Sequence, residues 1–413
     1  MKRRSLWWVG TGVLGCAVVA AGVVGIGRLT AAKESSAAVD SRLVSANTGF
    51  GFKLFGELVK EEPKSNVFIS PASVALALSM TYNGAAGGTR QAMAKALELR
   101  GMSLGDVNKA NAALLANLQA PGPGVKLAIA DSLWARKGIR FKPDFMQRNK
   151  DYYRAQVTSL DFTDPRAPST INAWVSRKTQ GKIKEIVQRI NPAEILFLIN
   201  AVYFKGTWAR KFDKANTKEG TFTLPGGRKK RVMMMSRTGK CKYYAGQNFE
   251  AISLPYGQGR VSMYIFLPNK NSSLSVLYKE LNAKNWETWV SGFQDISVHV
   301  VMPRFKLEYE TELKRALTAL GMGIAFDGPR ADFSAMCPIP PMLPVYVSKV
   351  RHKTFVEVNE EGTEAAAVTS VGMAGTGMPT PPLDFIVDRP FFCAIRDNKT
   401  GTILFMGSIV EPK

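Results

Sequence analysis

The amino-acid sequence predicts an α+β fold, because helical and antiparallel-strand patterns are mixed along it without regular β-α-β alternation. Its 413 residues are 46 % hydrophobic and 21 % charged, which is ordinary globular composition and excludes a wholly disordered or collagen-like chain. Length alone favours two or three domains, since single cores usually stop growing near about 250–300 residues. However, no long linker and no internal repeat follows residue 47.

The first 32 residues are predicted to direct export or anchoring. Three basic residues at positions 2–4 precede an uncharged run, residues 6–27, which is long enough to cross a hydrocarbon layer of about 30 Å. Three alternatives stay open: a signal peptide cleaved at the small residues 30–32, a lipoprotein signal with lipidation at Cys16, and an uncleaved anchor. Each places the remaining chain outside the cytoplasm, secreted or tethered to the cell envelope, with membrane contact through this segment alone.

Residues 33–47 are rich in alanine and serine and are interpreted as a flexible tether, so the folded domain is predicted to span residues 48–413. Ser70 followed by Pro71 predicts the start of a buried helix. Apolar residues at helical spacing predict further helices, over residues 49–60, 90–97 (capped by Thr89), 107–118, 143–154, 171–188 and 309–320. Alternating or continuously apolar runs predict strands, over residues 67–69, 126–134, 195–204, 294–307 and 345–358, several strands within 220–267, and a final hairpin of 391–395 with 402–410.

One connection, residues 360–382, stands apart from these elements. It joins the last long strand to the final sheet strands, and its second half, residues 371–382, contains no charged residue. A connection of this length inside a compact domain is usually functional or disordered. An exposed, uncharged tip of small residues is also where proteases cut.

Five sequence blocks, in this order, resemble the serpin family over residues 48–413. They are Asn-Val-Phe-Ile-Ser-Pro-Ala-Ser with Ala-Leu-Ser-Met (66–73, 77–80), Thr-Gln-Gly-Lys-Ile (179–183), Asn-Ala-Val-Tyr-Phe-Lys-Gly-Thr-Trp (200–208), Glu-Gly-Thr-Glu-Ala-Ala (361–366), and Asp-Arg-Pro-Phe-Phe with Leu-Phe-Met-Gly (388–392, 404–407). The resemblance implies one domain with three β-sheets, eight or nine helices and an exposed reactive-centre loop at about 360–382.

The resemblance further implies an inhibitor that traps a serine or cysteine protease. The protease cuts the loop and forms an acyl-enzyme, and the loop then inserts into the main sheet and distorts the protease. Such a protein is not an enzyme and needs no cofactor or metal, and it is expected to be a monomer. The alternative is a non-inhibitory serpin that acts as a binding or chaperone-like module.

The start of the loop favours the inhibitory alternative. The resemblance places the hinge at Glu360, Glu361, Gly362, Thr363, Glu364, Ala365, Ala366 and Ala367. With a period of two from Thr363, one face carries Thr363, Ala365, Ala367, Thr369, Val371 and Met373, all of them small or apolar. No proline, which would block a central strand, occurs between Glu360 and Met378.

The scissile bond is predicted less sharply. Seventeen residues counted from Glu360 end at Thr376, which places the bond at Thr376–Gly377, whereas counting back from Pro390 ends near Pro379. The alternatives are Met373, Ala374, Gly375 and Met378, the last disfavoured because Pro379 would follow the cut. Since every candidate is small or apolar, we expect an elastase-, subtilisin- or chymotrypsin-like target.

The resemblance assigns two further groups of residues. Ser70, Ser73, Asn200 and His352 correspond to the shutter, a hydrogen-bond network beneath the sheet that opens during insertion. Trp208 corresponds to the tryptophan at the breach, where the loop first enters the sheet. For His352 and Trp208, ordinary core packing is the competing interpretation.

The net charge of +22 indicates a cationic surface. Residues 205–242 hold twelve basic and two acidic side chains, and Arg228, Lys229, Lys230 and Arg231 lie together at a predicted turn. This cluster predicts either a site for a polyanion or an anionic surface, or simply a soluble cationic face. The helix that serpins usually present to heparin corresponds to residues 107–118, where Lys109 is the one basic residue, which argues against heparin activation at that helix.

Other functional classes are poorly supported. His299 and His352 are the only histidines, so a multi-histidine metal site is excluded. The sequence contains no H-E-x-x-H and no G-x-x-x-x-G-K-[ST] phosphate loop. Residues 101–105 match G-x-S-x-G, but they lie between two predicted helices and do not follow a strand, so no nucleophile elbow of a hydrolase is expected. The four cysteines, at positions 16, 241, 337 and 393, form no C-x-x-C pair, so a disulfide framework and a structural zinc site are unexpected.

Overall fold

The computed structural model of the protein describes residues 38–338, 344–363 and 381–413. The helices in these ranges are α1 Ser41–Glu61, α2 Pro71–Tyr82, α3 Gly87–Ala96, α4 Leu104–Gln119, α5 Pro143–Tyr153, α6 Ala167–Lys178, α7 Leu274–Glu280, α8 Ala283–Ser291 and α9 Lys314–Leu317. The strands are β1 Val67–Ile69, β2 Val125–Arg136, β3 Gln156–Leu160, β4 Leu196–Thr207, β5 Lys218–Thr223, β6 Lys229–Ala245, β7 Phe249–Tyr256, β8 Val261–Pro268, β9 Gln294–Pro303, β10 Phe305–Glu312, β11 Val347–Asn359, β12 Gly362–Thr363, β13 Leu383–Ile386, β14 Phe391–Asp397 and β15 Ile403–Ile409. Among the described helices, none is long and apolar enough to cross a membrane.

The strands form an α+β architecture, as predicted. A six-stranded sheet has the order β10-β11-β12-β4-β2-β3, and a nine-stranded sheet has the order β1-β15-β14-β8-β7-β6-β9-β13, with β5 paired to β6. The resemblance implies three sheets, and two of them are joined here through β6, which is 17 residues long. One part of β6 pairs with β9, and its last residues pair with β7. The strands on either side of β6 therefore form one continuous nine-stranded sheet.

The hydrophobic core occupies both faces of the six-stranded sheet. The larger cluster packs that sheet against α2 and the nine-stranded sheet, and the smaller one lies beneath α6, where Trp134 meets Trp174 edge to face at 6.1 Å. All twelve residues of α2 are buried, as its nearly uninterrupted apolar sequence predicts. A helix buried in this position places its first turn directly behind the sheet, where Ser70 and Ser73 reach strand residues.

Two helix starts differ from the prediction. Helix α1 begins at Ser41, because the Asp40 carboxylate accepts a hydrogen bond from the Arg42 amide and caps the helix. Residues 41–47 are therefore helical, and the expectation of a tether as far as residue 47 was wrong for them. Helix α3 begins at Gly87, so Thr89 is not its cap, and the Thr89 hydroxyl instead accepts from the Asp332 amide at 2.8 Å.

Two other elements end or begin elsewhere than predicted. Helix α6 stops at Lys178, ten residues earlier than expected, because Gln180 and Gly181 have left-handed φ values of 55° and 76°. The helix expected over residues 309–320 begins only at Lys314, since residues 305–310 alternate buried and exposed side chains and continue strand β10. In both regions, the helical spacing of apolar residues continues into a segment whose backbone is not helical.

Candidate functional site

The candidate site is the seam between strands β4 and β11 in the six-stranded sheet. The two strands pair in parallel from Leu196 with Val347 to Tyr203 with Phe355. Beyond this point they separate, and the two residues of β12 lie between them, antiparallel to both. The start of the predicted loop is thus already a short central strand of the sheet.

Glycine is required at the first position of β12. Gly362 has a φ of +141°, and a Cβ atom there would lie 2.0 Å from the carbonyl oxygen of Gly206. A side chain would therefore collide with the backbone of β4, at a φ that other residues rarely adopt. Gly362 lets the chain turn into the seam at this point.

Thr363 faces the core, as its place in the period-two pattern predicts. The residue has no exposed surface, and its hydroxyl lies 2.8 Å from the hydroxyl of Tyr256. The Tyr256 ring stacks on Trp208 at 4.3 Å between centroids, and the Trp208 indole donates to the Asn359 carbonyl at 2.9 Å. Trp208 therefore lies beside the point where β12 enters the sheet, and the breach role that the resemblance assigns to it stays a prediction.

Two acidic hinge residues are bound by basic partners on other segments. Lys211 contacts the Glu361 carboxylate at 2.6 Å, and this hydrogen bond holds the pKa of Glu361 below its usual range. Glu360 is 3 % exposed, accepts from the Thr217 hydroxyl at 2.6 Å and lies 3.4 Å from Arg304. These partners were not predicted, because no sequence pattern links residues so far apart along the chain.

The four predicted shutter residues come together behind the seam, below β12. The Ser70 backbone amide donates to Nε2 of His352 at 3.1 Å, so this nitrogen carries no proton. Burial lowers the pKa of His352 to about 3, and the neutral ring therefore donates from Nδ1 to Oδ1 of Asn200 at 2.5 Å. Since Asn200 belongs to β4 and His352 to β11, this hydrogen bond joins the two strands across the seam.

A fifth residue completes this network and was missed from the sequence. The amide nitrogen of Asn200 donates to the Ser73 hydroxyl and to the carboxyl of Asp131 on β2, each at 2.5 Å. Burial raises the pKa of Asp131 to about 7. The available signal was a single carboxylate within residues 127–135, which are otherwise uncharged. We call Ser70, Ser73, Asp131, Asn200 and His352 the shutter network.

Comparison with known proteins agrees with this geometry. The family model described as "Serpin (serine protease inhibitor)" matches residues 45–412. This chain belongs to the serpin family. Serpin B8 of Homo sapiens is 38 % identical over 378 residues, which cover 90 % of this chain and 99 % of that protein. Leukocyte elastase inhibitor of Homo sapiens is 35 % identical over 383 residues, which cover 90 % of this chain and 100 % of that protein.

Solved serpin structures share the fold. Tengpin, a thermophilic serpin crystallised in the native state, matches with a TM-score of 0.84 and 34 % identity over 90 % of this chain and 95 % of tengpin. Native protease nexin-1 with heparin matches with a TM-score of 0.80 and 30 % identity over 90 % of this chain and 99 % of that protein. The predicted serpin fold is thereby confirmed.

The basic cluster at residues 228–231 of this serpin carries less unpaired positive charge than its sequence suggests. Lys230 contacts the Glu411 carboxylate at 2.8 Å, and Arg231 contacts Glu219 at 2.8 Å. These two cations are therefore partly neutralised. Arg228 and Lys229 are exposed at the end of the β5–β6 hairpin.

Several predicted residues of this serpin lie outside the described ranges. They are Cys16, the hinge residues Glu364, Ala365, Ala366 and Ala367, and the scissile candidates Met373, Ala374, Gly375, Thr376, Gly377 and Met378. Within the described ranges, no cluster of three or more His, Cys, Asp or Glu residues could hold a metal ion. Cys241, Cys337 and Cys393 are buried free thiols, and His299 contacts Asp384 at 2.9 Å on a sheet surface.

Proposed function

We propose that this serpin is an inhibitory suicide substrate that traps a protease covalently by inserting its cleaved loop between β4 and β11. The observation that carries the proposal is β12, in which Gly362 and Thr363 already pair with both strands. Residues that follow Thr363 can extend this strand towards the shutter network. Each one would add backbone hydrogen bonds in the centre of a sheet.

The chemistry of trapping belongs to the protease. Its serine or cysteine attacks a loop carbonyl, forms an ester or thioester with the serpin, and releases the new amino end of the C-terminal fragment. Insertion then carries the attached protease along the sheet before water can cleave the ester. The serpin contributes strain and strand pairing and has no catalytic residue of its own.

The target is proposed to be an elastase-, subtilisin- or chymotrypsin-like protease. Every candidate residue before the scissile bond, with Thr376–Gly377 preferred, is small or apolar, which suits an apolar specificity pocket. The relative named leukocyte elastase inhibitor supports the same class of target. A trypsin-like protease would require arginine or lysine before the cut.

Incubation of residues 33–413 with elastase, subtilisin, chymotrypsin and trypsin tests the proposal. We expect a band on denaturing electrophoresis at the summed masses of serpin and an apolar-specific protease, and a released C-terminal peptide whose mass locates the cut. Cleavage of the loop by all four proteases without such a band, and without a gain in thermal stability of the cut form, would favour the alternative of a non-inhibitory binding or chaperone-like serpin.

A polyanion is proposed as a second partner, and the exposed pair Arg228 and Lys229 supports it. The structural neighbour solved with heparin also supports the proposal. We expect the double variant Arg228→Glu/Lys229→Glu to elute from heparin-agarose at a clearly lower salt concentration. With fewer cationic contacts, its binding releases fewer counterions from heparin and is weaker at a given salt concentration. A matched variant, Lys109→Glu on α4, should elute near the wild type. Equal elution of the wild type and the double variant would contradict the site.

Export from the cytoplasm is also proposed, on the basis of the charged and apolar residues 1–32. The protein would then be secreted or held at the cell envelope by its N-terminus. Intact mass of the protein recovered from cells separates cleavage near residue 32, lipidation at Cys16 and retention of the whole segment. Recovery of the full unmodified chain from the soluble cytoplasmic fraction would contradict export.

A further inference from the structure

We propose that Asp131 is a positioning residue for loop insertion, which orients the Asn200 amide between β4 and β11 and makes separation of these strands depend on pH. The inference rests on the proposed insertion mechanism. It concerns a group on β2, one strand away from the seam. Asp131 acts through Asn200, to which its carboxyl is hydrogen-bonded.

The orientation of the Asn200 amide depends on its neighbours. Its oxygen must face the Nδ1–H of His352, so its nitrogen must face Ser73 and Asp131. The Ser73 hydroxyl can donate or accept and therefore does not select one orientation. The ionised carboxylate of Asp131 can only accept and therefore selects this orientation, and the carbonyl oxygen of the protonated carboxyl can still accept from the same nitrogen. A flipped amide would point its nitrogen at another donor, and the bond across the seam would be lost.

Among the described residues, Asp131 faces no cation that would hold it ionised. Helix α2 contains no charged residue, and the neighbours of Asp131 on its own strand are Ala130 and Ser132. Helix α4 also packs on β2, and its charged residues are Asp106, which caps its start with Ser103, and the exposed Lys109. The charged residues of α6 are Arg177 and Lys178, which are exposed, and this helix covers the opposite face of the sheet. His352 is the other titratable member of the shutter network.

Separation of the strands changes the proton affinity of both groups. In the closed seam the pKa of Asp131 is raised to about 7 by burial, and access of water would return it towards 3.8. Opening therefore releases a proton from Asp131 and becomes more favourable as pH rises from about 4 to 7. His352 has the opposite sign: its pKa rises from about 3 towards 6.5 on opening, which favours opening as pH falls below 6.5.

The two dependences offset each other in the wild type between about pH 4 and 6.5. Opening there moves one proton from Asp131 to His352, with little net uptake or release. The contribution of Asp131 is therefore visible in the ratio of wild-type to variant rates, from which the His352 titration cancels. This ratio should rise by up to tenfold for each pH unit between about 4 and 7.

The test uses the full chain and a synthetic peptide with the sequence of residues 363–373, whose uptake into the sheet is followed by native electrophoresis from pH 5 to 8. We expect the ratio of uptake rates, wild type over Asp131→Asn, to increase about tenfold or more from pH 5 to 7 and to level off above pH 7. The exposed carboxylate variant Asp295→Asn should give a ratio that does not change with pH.

A constant ratio for Asp131→Asn would overturn the inference and leave the trapping mechanism in place. Asp131→Ser serves as a second neutral variant if Asp131→Asn does not fold, and it should give the same pH-dependent ratio. Failure of the wild type to take up the peptide at any pH would overturn the insertion mechanism itself, and the role of Asp131 with it.

Discussion

Arginine in place of Thr363 should convert this serpin from an inhibitor into a substrate that is cut in the loop but no longer retains the protease. Thr363 is the leading inserted residue, and it has no exposed surface. Strands β11 and β4 flank it, with Val358 and Gly206 directly opposite. Because Thr363 is fully buried against Tyr256, an arginine side chain has no room here.

The expected effect is large because trapping depends on the competition between two rates, loop insertion and hydrolysis of the acyl-enzyme. The acyl-enzyme is hydrolysed unless the loop inserts first. Burying an unpaired charge costs several kcal/mol, and each 1.4 kcal/mol added to the barrier slows insertion about tenfold. The Thr363 hydroxyl also lies 2.8 Å from Tyr256, a contact that the variant loses. Hydrolysis should therefore win in nearly every turnover.

The measurement is the number of serpin molecules consumed for each protease molecule inhibited, together with the yield of the covalent band. We expect that number to rise at least tenfold for Thr363→Arg, with loop cleavage at the wild-type rate. Glu364→Arg is the matched control, since the period-two pattern assigns position 364 to the solvent face. Normal trapping by Thr363→Arg would contradict the insertion model.

The residues that line the seam could largely be predicted from the sequence. The blocks that resemble serpins fixed the identities of Ser70, Ser73, Asn200, His352 and Trp208, and a period of two was enough to place Thr363 towards the core. The positions of these residues could be predicted because each depends on a local pattern or on a motif with a fixed place in the fold, while their roles in loop insertion stay predictions. The burial of α2 followed in the same way from its uninterrupted apolar sequence.

The partners of those residues could not be predicted. Lys211 and Arg304 lie about 150 and 56 positions before the hinge glutamates that they contact, and no periodicity links such distant segments. Asp131 looked like an isolated charge in a strand until β2 and β4 were paired and placed it beside Asn200. The basic cluster at residues 228–231 was overestimated for the same reason, because Glu411 and Glu219 neutralise part of its charge from other segments. Tertiary pairing decides the electrostatics of this site.

Removal of the Asn200 side chain should give the second largest effect, on the stability of the closed seam. Asn200→Ala removes the partner of two buried groups, the Nδ1–H of His352 and the hydroxyl of Ser73, and of the partly buried carboxyl of Asp131. Each unsatisfied buried group costs about 1–3 kcal/mol, so a loss of roughly 3 kcal/mol or more is expected. The bond between β4 and β11 disappears with it, and peptide uptake should accelerate at least tenfold.

The control separates the network from burial in general. Asn149 on α5 is equally buried and donates to the Phe145 carbonyl at 3.0 Å, outside the shutter network. Asn149→Ala should shorten the half-life at elevated temperature without accelerating peptide uptake. If Asn200→Ala lost stability but took up the peptide at the wild-type rate, the network would serve the fold alone. Acceleration confined to Asn200→Ala would show that the same hydrogen bonds that stabilise the sheet also control its opening.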